Sequence, residues 1–149
     1  MRTSFWDIFF AFFYLAALAY GLMWLAETNR LATWVPTSDF VLMALAVHRL
    51  TRLFTYDAIT QFIRDWFAGA NRGSFLGTLN TLIHCPWCTG LWFAMIVTLA
   101  YFATPYAWYV IFILALGSVG SFLQLFSNLI GWYAEARKLE AERMRAQLP

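Results

Sequence analysis

Long uncharged apolar runs, separated by short polar segments, make up most of this chain. Residues 8–26 and 106–133 contain no charged side chain, and a third such run covers residues 89–103. A run of about 18 or more apolar residues is typical of a membrane-spanning helix, because a closed helix satisfies its own backbone hydrogen bonds in lipid. The pattern therefore predicts an all-α integral membrane protein.

Four transmembrane helices fit the pattern best, at about residues 8–26, 39–54, 86–103 and 106–131. The second is the weakest, since it reaches only about 24 Å at 1.5 Å per residue, against a hydrocarbon core of about 30 Å. The turn Thr104-Pro105 predicts that the last two spans form a tight helical hairpin. Residues 1–133 are thus predicted as a single membrane domain, and residues 134–149 as a charged cytoplasmic tail that extends the fourth helix.

The basic residues indicate an orientation. With four spans and the N-terminus inside, all ten basic residues except Arg30 lie in the cytoplasm, as the positive-inside rule favours. If residues 39–54 do not span, three spans with the N-terminus outside leave only Arg2 outside, so the rule does not choose between the two. Both arrangements place residues 49–88 and the tail in the cytoplasm. We therefore expect a multi-pass membrane protein with a cytoplasmic C-terminus.

Composition narrows the function classes. The chain is 62% hydrophobic and 12% charged over 149 residues, against roughly 25% charged in soluble domains, which leaves no room for a separate soluble domain. A net charge of +2 gives no indication of nucleic-acid binding. Ala17-Leu18-Ala19 resembles a signal-peptide cleavage site, but the apolar run around it is longer than a signal-peptide core of about 7–15 residues. We expect a retained helix.

The segment between the second and third spans is amphipathic. Apolar side chains recur at helical spacing from Ile59 to Phe67, with polar residues on the other face. This predicts an interfacial helix at about residues 57–68, lying in the headgroup region on the cytoplasmic side. A second short amphipathic run covers Phe75 to His84.

Two cysteines in the turn Cys85-Pro86-Trp87-Cys88, at the start of the third span, are the main candidates for chemistry. They could cycle between dithiol and disulfide, pack as small apolar residues, or bind zinc. A zinc site would draw on the only other candidate ligands of this kind, His48 and His84. No cofactor is expected on balance, and zinc is the alternative.

Two further groups of residues are candidates for binding or packing. Arg49 and Arg52 share a helical face and precede Asp57. Ordinary positive-inside anchoring is one interpretation, and an Arg/Asp cluster that holds the cysteine turn or an anionic lipid headgroup is the other. A stripe of small and amide residues on the fourth span would pack against another helix, with Gly90 of the third span as a matching small face. The stripe consists of Gly117, Ser121, Gln124, Asn128 and Gly131.

The chain resembles a family of small bacterial and phage membrane proteins of unknown function, sometimes labelled sporulation-related. The resemblance lies in Arg49-Leu50-Thr51-Arg52, the following Asp57, and the turn from Cys85 to Trp92, and it covers about residues 40–125. It implies a membrane core of two or three helices and supplies no reaction. It also implies that one constellation contains Arg49, Arg52, Asp57, Cys85, Cys88, Gly90 and Trp92.

No hydrolase nucleophile with its base, phosphate-binding glycine loop or pair of catalytic carboxylates is evident in the sequence. We therefore expect a non-enzymatic membrane protein that acts through self-assembly or another membrane protein, as an accessory subunit or a phage-encoded modulator of the envelope. A thiol- or metal-based membrane protein and a holin-like lysis protein are the alternatives.

Overall fold

A computed structural model describes residues 5–32, 34–71 and 73–146 of the chain; Arg2 and Arg72, which the orientation argument counted, lie outside this part. Every regular element within these ranges is helical, as predicted. The helices are α1 (Phe5–Glu27), α2 (Thr37–Thr55), α3 (Gln61–Phe67), α4 (Phe75–His84), α5 (Pro86–Ala103) and α6 (Ala107–Ala146), with a 3₁₀ turn at Ala58–Thr60 before α3.

Three helices within the described ranges are long and apolar enough to cross a membrane: α1, α5 and α6. The sequence predicted four, and α2 is the one that does not meet the same standard. It carries Asp39, Arg49 and Arg52 within 19 residues, so it is more polar than its neighbours. Over the residues that the structure describes, the protein is all-helical and has three candidate membrane-spanning helices.

The polar helix α2 is nevertheless the centre of the bundle. It packs against both α5 and α6, whereas α5 and α6 contact each other much less. A core on the α2 surface joins Ala46 to Val97 of α5 and Ile111 of α6. The predicted turn at Thr104-Pro105 connects α5 directly to α6, but the two helices contact each other less than each contacts α2, which lies between them.

Small residues explain how α2 fits there. A Cβ on Gly90 of α5 would lie 3.4 Å from Thr51 Oγ1, and one on Gly117 of α6 would lie 3.6 Å from Arg49 Nε. A Cβ at either position would be in ordinary van der Waals contact with α2, so both helices lie close to it, on two of its sides. Gly90 was expected to face the stripe on α6 and instead faces α2.

Contacts at the two ends of the bundle define the direction of each helix. At one end, which we call the hairpin end, the Arg30 side chain donates to the Ala103 carbonyl, and Tyr101 donates to Asp39 at 2.5 Å. At the other end, which we call the cysteine end, Gly90 lies against Thr51. Helix α2 is therefore antiparallel to α5 and runs beside nearly its whole length.

Helix α1 is peripheral and parallel to α5. The ring of Tyr14 in α1 packs against Trp92 near the start of α5, with centroids 5.1 Å apart. Gly21 of α1 lies close to Leu99 near the end of α5. Near its N-terminus, Asp7 accepts a hydrogen bond from Thr78 of α4 at 3.3 Å. The arrangement explains why most residues of α1 are exposed, although Leu25 is fully buried.

The segment at the cysteine end presents apolar side chains outward. Ile59, Phe62 and Trp66 are 70%, 68% and 83% exposed. The helix predicted at residues 57–68 is divided into the 3₁₀ turn and α3, while α4 occupies Phe75–His84, the second amphipathic run of the sequence. The tail continues α6 without interruption to Ala146, as predicted.

Candidate functional site

A polar junction lies at the cysteine end, where α2 finishes. Arg49 projects from α2 and forms an ion pair with Asp57, 3.1 Å between Nη1 and Oδ2. The same Nη1 donates to Ser121 Oγ of α6 at 3.1 Å. Arg49 therefore joins three parts of the chain: α2, the turn that follows it, and α6. We call His48, Arg49, Arg52, Asp57 and Arg64 the α2 junction.

Arg64 of α3 caps the end of α2. Its Nη1 donates to the Phe54 carbonyl at 2.9 Å, and its Nη2 donates to the Asp57 carbonyl at 2.8 Å. Thr60 donates in turn to the Leu53 carbonyl. The last carbonyls of a helix have no partner within the helix and carry partial negative charge, so a guanidinium is well suited to them.

His48 lies on the side of α2 that faces α6. Its Nδ1 is 2.7 Å from Ser118 Oγ, and its ring stacks on Phe122 at a centroid distance of 4.7 Å. Ser118 is fully buried, so the pair satisfies a polar group inside an apolar contact. His48 is thus part of the interface between α2 and α6.

The cysteine turn caps α5. Cys85 is the N-cap residue and its Sγ accepts the backbone N–H of Cys88 at 3.3 Å. The hydrogen bond from the Cys88 thiol, with backbone N–H groups of Cys88 and Trp87, lowers the pKa of Cys85, against the opposing effect of burial. Both thiols are free and partly buried, while Trp87 is 88% exposed.

The four residues considered for zinc are not brought together. His48 faces α6, and His84 Nδ1 lies 2.8 Å from the carbonyl of Asn80, one turn back on its own helix. Within the described ranges, no three histidine, cysteine or acidic side chains form a group suited to a metal ion. The cysteines are therefore left as a dithiol without histidine partners.

The stripe on α6 is divided by its surroundings. Gly117 and Ser121 contact Arg49 of α2, so they pack within the monomer. Below them, Gln124 Nε2 donates to Asn128 Oδ1 at 3.1 Å on an exposed face, and the space around Gly131 is open. One half of the stripe is internal and the other half is on the surface.

The expected constellation is also only partly assembled. Arg49 and Asp57 meet, and Gly90 lies beside Thr51 of α2. Trp92 points to α1 instead, where it stacks on Phe13 at 5.9 Å. Residues two positions apart on a helix face different sides, which separates Gly90 from Trp92.

Sequence reasoning missed three contributors to this end of the bundle. Ser118 hydrogen-bonds to His48, Thr60 caps the end of α2, and Thr51 lies against Gly90 of α5. A buried serine beside a glycine, in an otherwise apolar span, was the available signal for Ser118. For Thr60 the signal was its position three residues after Asp57, where a short polar side chain favours a helix boundary.

Comparisons with known proteins bear on these same residues. The profile of a family described as "Protein of unknown function (DUF1360)" matches residues 42–81 and 70–127. UPF0713 protein YngL of Bacillus subtilis (strain 168) is 32% identical over 97 residues, which cover 57% of this chain and 75% of that protein. Sporulation protein YjcA of the same organism is 32% identical over 98 residues, which cover 54% and 83%. No solved structure gives a significant match. The family region contains the α2 junction and the cysteine turn and leaves out α1 and the tail.

Proposed function

The chain belongs to the DUF1360 family, whose function is unknown, and from this premise we propose that it is a non-enzymatic membrane protein that assembles with a second copy of itself through α6. The observation that carries the proposal is the exposed amide pair of Gln124 and Asn128. Both lie within the uncharged run 106–133, which the membrane is expected to surround.

Amides in such a position favour a second helix. The bond between Gln124 and Asn128 uses one donor and one acceptor, and each side chain keeps further hydrogen-bonding capacity. Lipid tails cannot satisfy these groups, whereas an amide on a neighbouring helix can. Because each side chain is both donor and acceptor, the same face of a second copy is complementary to it. Gly120 and Gly131, with open space beside them, would allow close approach.

The double substitution Gln124→Leu/Asn128→Leu tests this proposal. Interhelical hydrogen bonds in membranes contribute about 1–2 kcal/mol in model peptides, which corresponds to roughly a five- to thirty-fold weaker dimer. Both side chains are exposed and hydrogen-bond to each other, so the monomer should keep its melting temperature. Oligomer mass in mild detergent and energy transfer between labelled copies in vesicles are the measurements.

The control is Thr98→Leu, which exchanges an exposed polar residue of α5 for leucine. Loss of the dimer in the α6 variant alone would support self-assembly through this face. An unchanged dimer in both variants would refute it. If the wild type is instead monomeric and co-purifies in fixed ratio with another membrane protein, that protein, and not a second copy, is the partner of this face. An accessory subunit would behave in this way.

We also propose the four-span topology, in the bacterial inner membrane, with both termini cytoplasmic. Its support is that α2 runs beside α5 along nearly its full length, and that Arg30 reaches the carbonyl of Ala103. Alkaline phosphatase, which is active only outside the cytoplasm, should be active when inserted in residues 28–36 and inactive when fused to the C-terminus. Inactivity in residues 28–36 would instead support three spans. One relative is named as a sporulation protein, which is consistent with a role in the envelope.

A thiol-based role is a second candidate, favoured by the N-cap position of Cys85. Cys85 Sγ lies 3.3 Å from the backbone N of Cys88, so the two residues are close neighbours, as a disulfide with Cα atoms about 4.4–6.8 Å apart needs. The Cys85 thiolate would attack a small-molecule or protein disulfide, forming a mixed disulfide and releasing one thiol. Cys88 would then attack Cys85 Sγ and release the second thiol, so two electrons pass from the cysteines to the disulfide substrate. In a reducing compartment such a bond is transient.

Alkylation kinetics test the thiol role. Cys88→Ser keeps a hydroxyl donor to the Cys85 thiolate, whereas Cys88→Ala removes it. A lowered pKa of Cys85 means that more thiolate is present at neutral pH, so the midpoint of the alkylation rate should lie below that of an ordinary cysteine thiol in the serine variant. It should rise in the alanine variant. Equal midpoints in the two, or wild-type protein that stays a dithiol in oxidised glutathione, would exclude this role.

A further inference from the structure

Two buried polar atoms near the end of α2 have no hydrogen-bond partner among the described residues. They are Arg52 Nε and Thr55 Oγ1. Thr55 is 8% exposed, and the two residues are three positions apart, so they share a face of α2. Buried polar groups in native proteins are almost always satisfied, and each exception calls for an explanation.

The charges around this face are unbalanced. Arg49, Arg52 and Arg64 bring three guanidinium groups to the α2 junction, against the single carboxylate of Asp57. Asp57 is paired with Arg49, and Arg64 is engaged by carbonyls. Asp65 is exposed and makes no ion pair within the described ranges, so it does not neutralise Arg52. Arg52 is therefore the guanidinium of the α2 junction that neither a carboxylate nor a carbonyl engages within the described ranges.

We expect this face of α2 to lie at the level of the membrane surface. Arg52 lies in the last turn of α2, at the cysteine end. The α3 segment beside it exposes Phe62 and Trp66, and exposed aromatic side chains of an amphipathic segment are typical of the headgroup level. Anionic headgroups are thus available where the guanidinium needs a partner.

We propose that Arg52 and Thr55 form a binding site for a phosphate-type oxyanion, either the phosphodiester of an anionic phospholipid or free phosphate. Phosphate oxygens accept from guanidinium N–H groups in a bidentate geometry, and they accept equally from a threonine hydroxyl. One ligand thus balances the charge of Arg52, and it satisfies both donors once the two side chains shift to expose them. Asn80 Oδ1 is also buried without a partner, but it is an acceptor and does not belong to an anion site.

The test uses the full chain in nanodiscs of phosphatidylcholine, with the melting temperature followed by tryptophan fluorescence. One arm adds phosphatidylglycerol to the lipid, and the other adds inorganic phosphate to the buffer. A ligand that binds the folded state raises the melting temperature. Arg52→Gln should weaken the apparent affinity by at least about five-fold, which is what one arginine near an anionic surface contributes.

The matched control is Arg143→Gln, which removes the same charge from the exposed tail. That residue lies about 18 Å beyond Gly131 along the helix, farther than a Debye length of about 8 Å. Thr55→Val provides a second variant that changes no charge and little volume. It should reduce the ligand-induced shift, and it decides the matter if Arg52→Gln does not fold.

The outcomes separate the two sources. A shift with phosphatidylglycerol that depends on Arg52 and Thr55 identifies a lipid headgroup, and a shift of the same dependence with inorganic phosphate identifies a soluble anion. No shift in either arm overturns the site. A shift of equal size in wild type and all three variants would overturn it as well, since it would report the surface charge alone.

Discussion

The ion pair between Arg49 and Asp57 should contribute measurably to stability. Both side chains are about one quarter exposed, 27% and 26%, which places the pair between the two well-measured cases. Exposed pairs contribute about 0.2–1 kcal/mol, and breaking a fully buried pair costs about 3–5 kcal/mol. We therefore expect a coupling energy of about 1–2 kcal/mol between the two residues.

A double-mutant cycle with Arg49→Gln and Asp57→Asn measures this coupling, with unfolding followed in mixed micelles by tryptophan fluorescence. Asp57→Asn alone should lower the free energy of unfolding by about 1–3 kcal/mol, because it also leaves the Arg49 guanidinium without its carboxylate. The coupling should largely persist at high salt, since partly buried pairs are screened less than exposed ones.

The control is Asp65→Asn, which removes a carboxylate from the same connecting segment but from an exposed position. It should change stability by less than about 0.5 kcal/mol. A coupling energy below about 0.3 kcal/mol, or equal losses for Asp57→Asn and Asp65→Asn, would refute the geometry of the α2 junction.

Two further predictions use pairs of like residues in different surroundings. Gly117→Leu should lower the free energy of unfolding by about 1–3 kcal/mol, because it drives a side chain against α2. Gly120→Leu has open space and should be neutral or slightly stabilising in the detergent-solubilised monomer. Equal losses of stability in the two variants would contradict the packing of α2 on α6. Trp92→Ala should lower the free energy of unfolding by about 2–3 kcal/mol. It should also speed hydrogen exchange in α1, because the Trp92 ring packs against that helix, while Trp87→Ala should do neither. Unchanged protection of α1 in both variants would show that Trp92 does not hold α1 in place.

The helix ends could be predicted from the sequence because particular residues mark them. Pro86 occupies the first turn of α5, and Thr104-Pro105 ends it, so the predicted bounds 86–103 match the helix. Ser74 caps α4 by accepting the N–H of Gly77 at 3.1 Å. These are local signals, and they need no knowledge of the neighbouring helices.

The partner of each helix could not be predicted in the same way. The stripe on α6 indicated a packing face, but a glycine is equally suited to any close neighbour, and the sequence did not show that α2 would take the place opposite Gly117. The polar residues of α2 argued against a central position. They became compatible with one only because Ser118 and Ser121 of α6 satisfy His48 and Arg49, and such pairing depends on the tertiary structure.

The length of α6 has a mechanical consequence. At 40 residues, the helix is about 60 Å long, roughly twice the thickness of the hydrocarbon core. It contains no proline, so nothing of that kind interrupts its stiffness where it leaves the bundle. In the proposed topology the last 15 or so residues would extend about 22 Å past the membrane surface, and a tilt of 10° within the bilayer would displace their far end by about 4 Å. A change in how α6 packs against its neighbours within the bilayer would therefore move the far end of the tail.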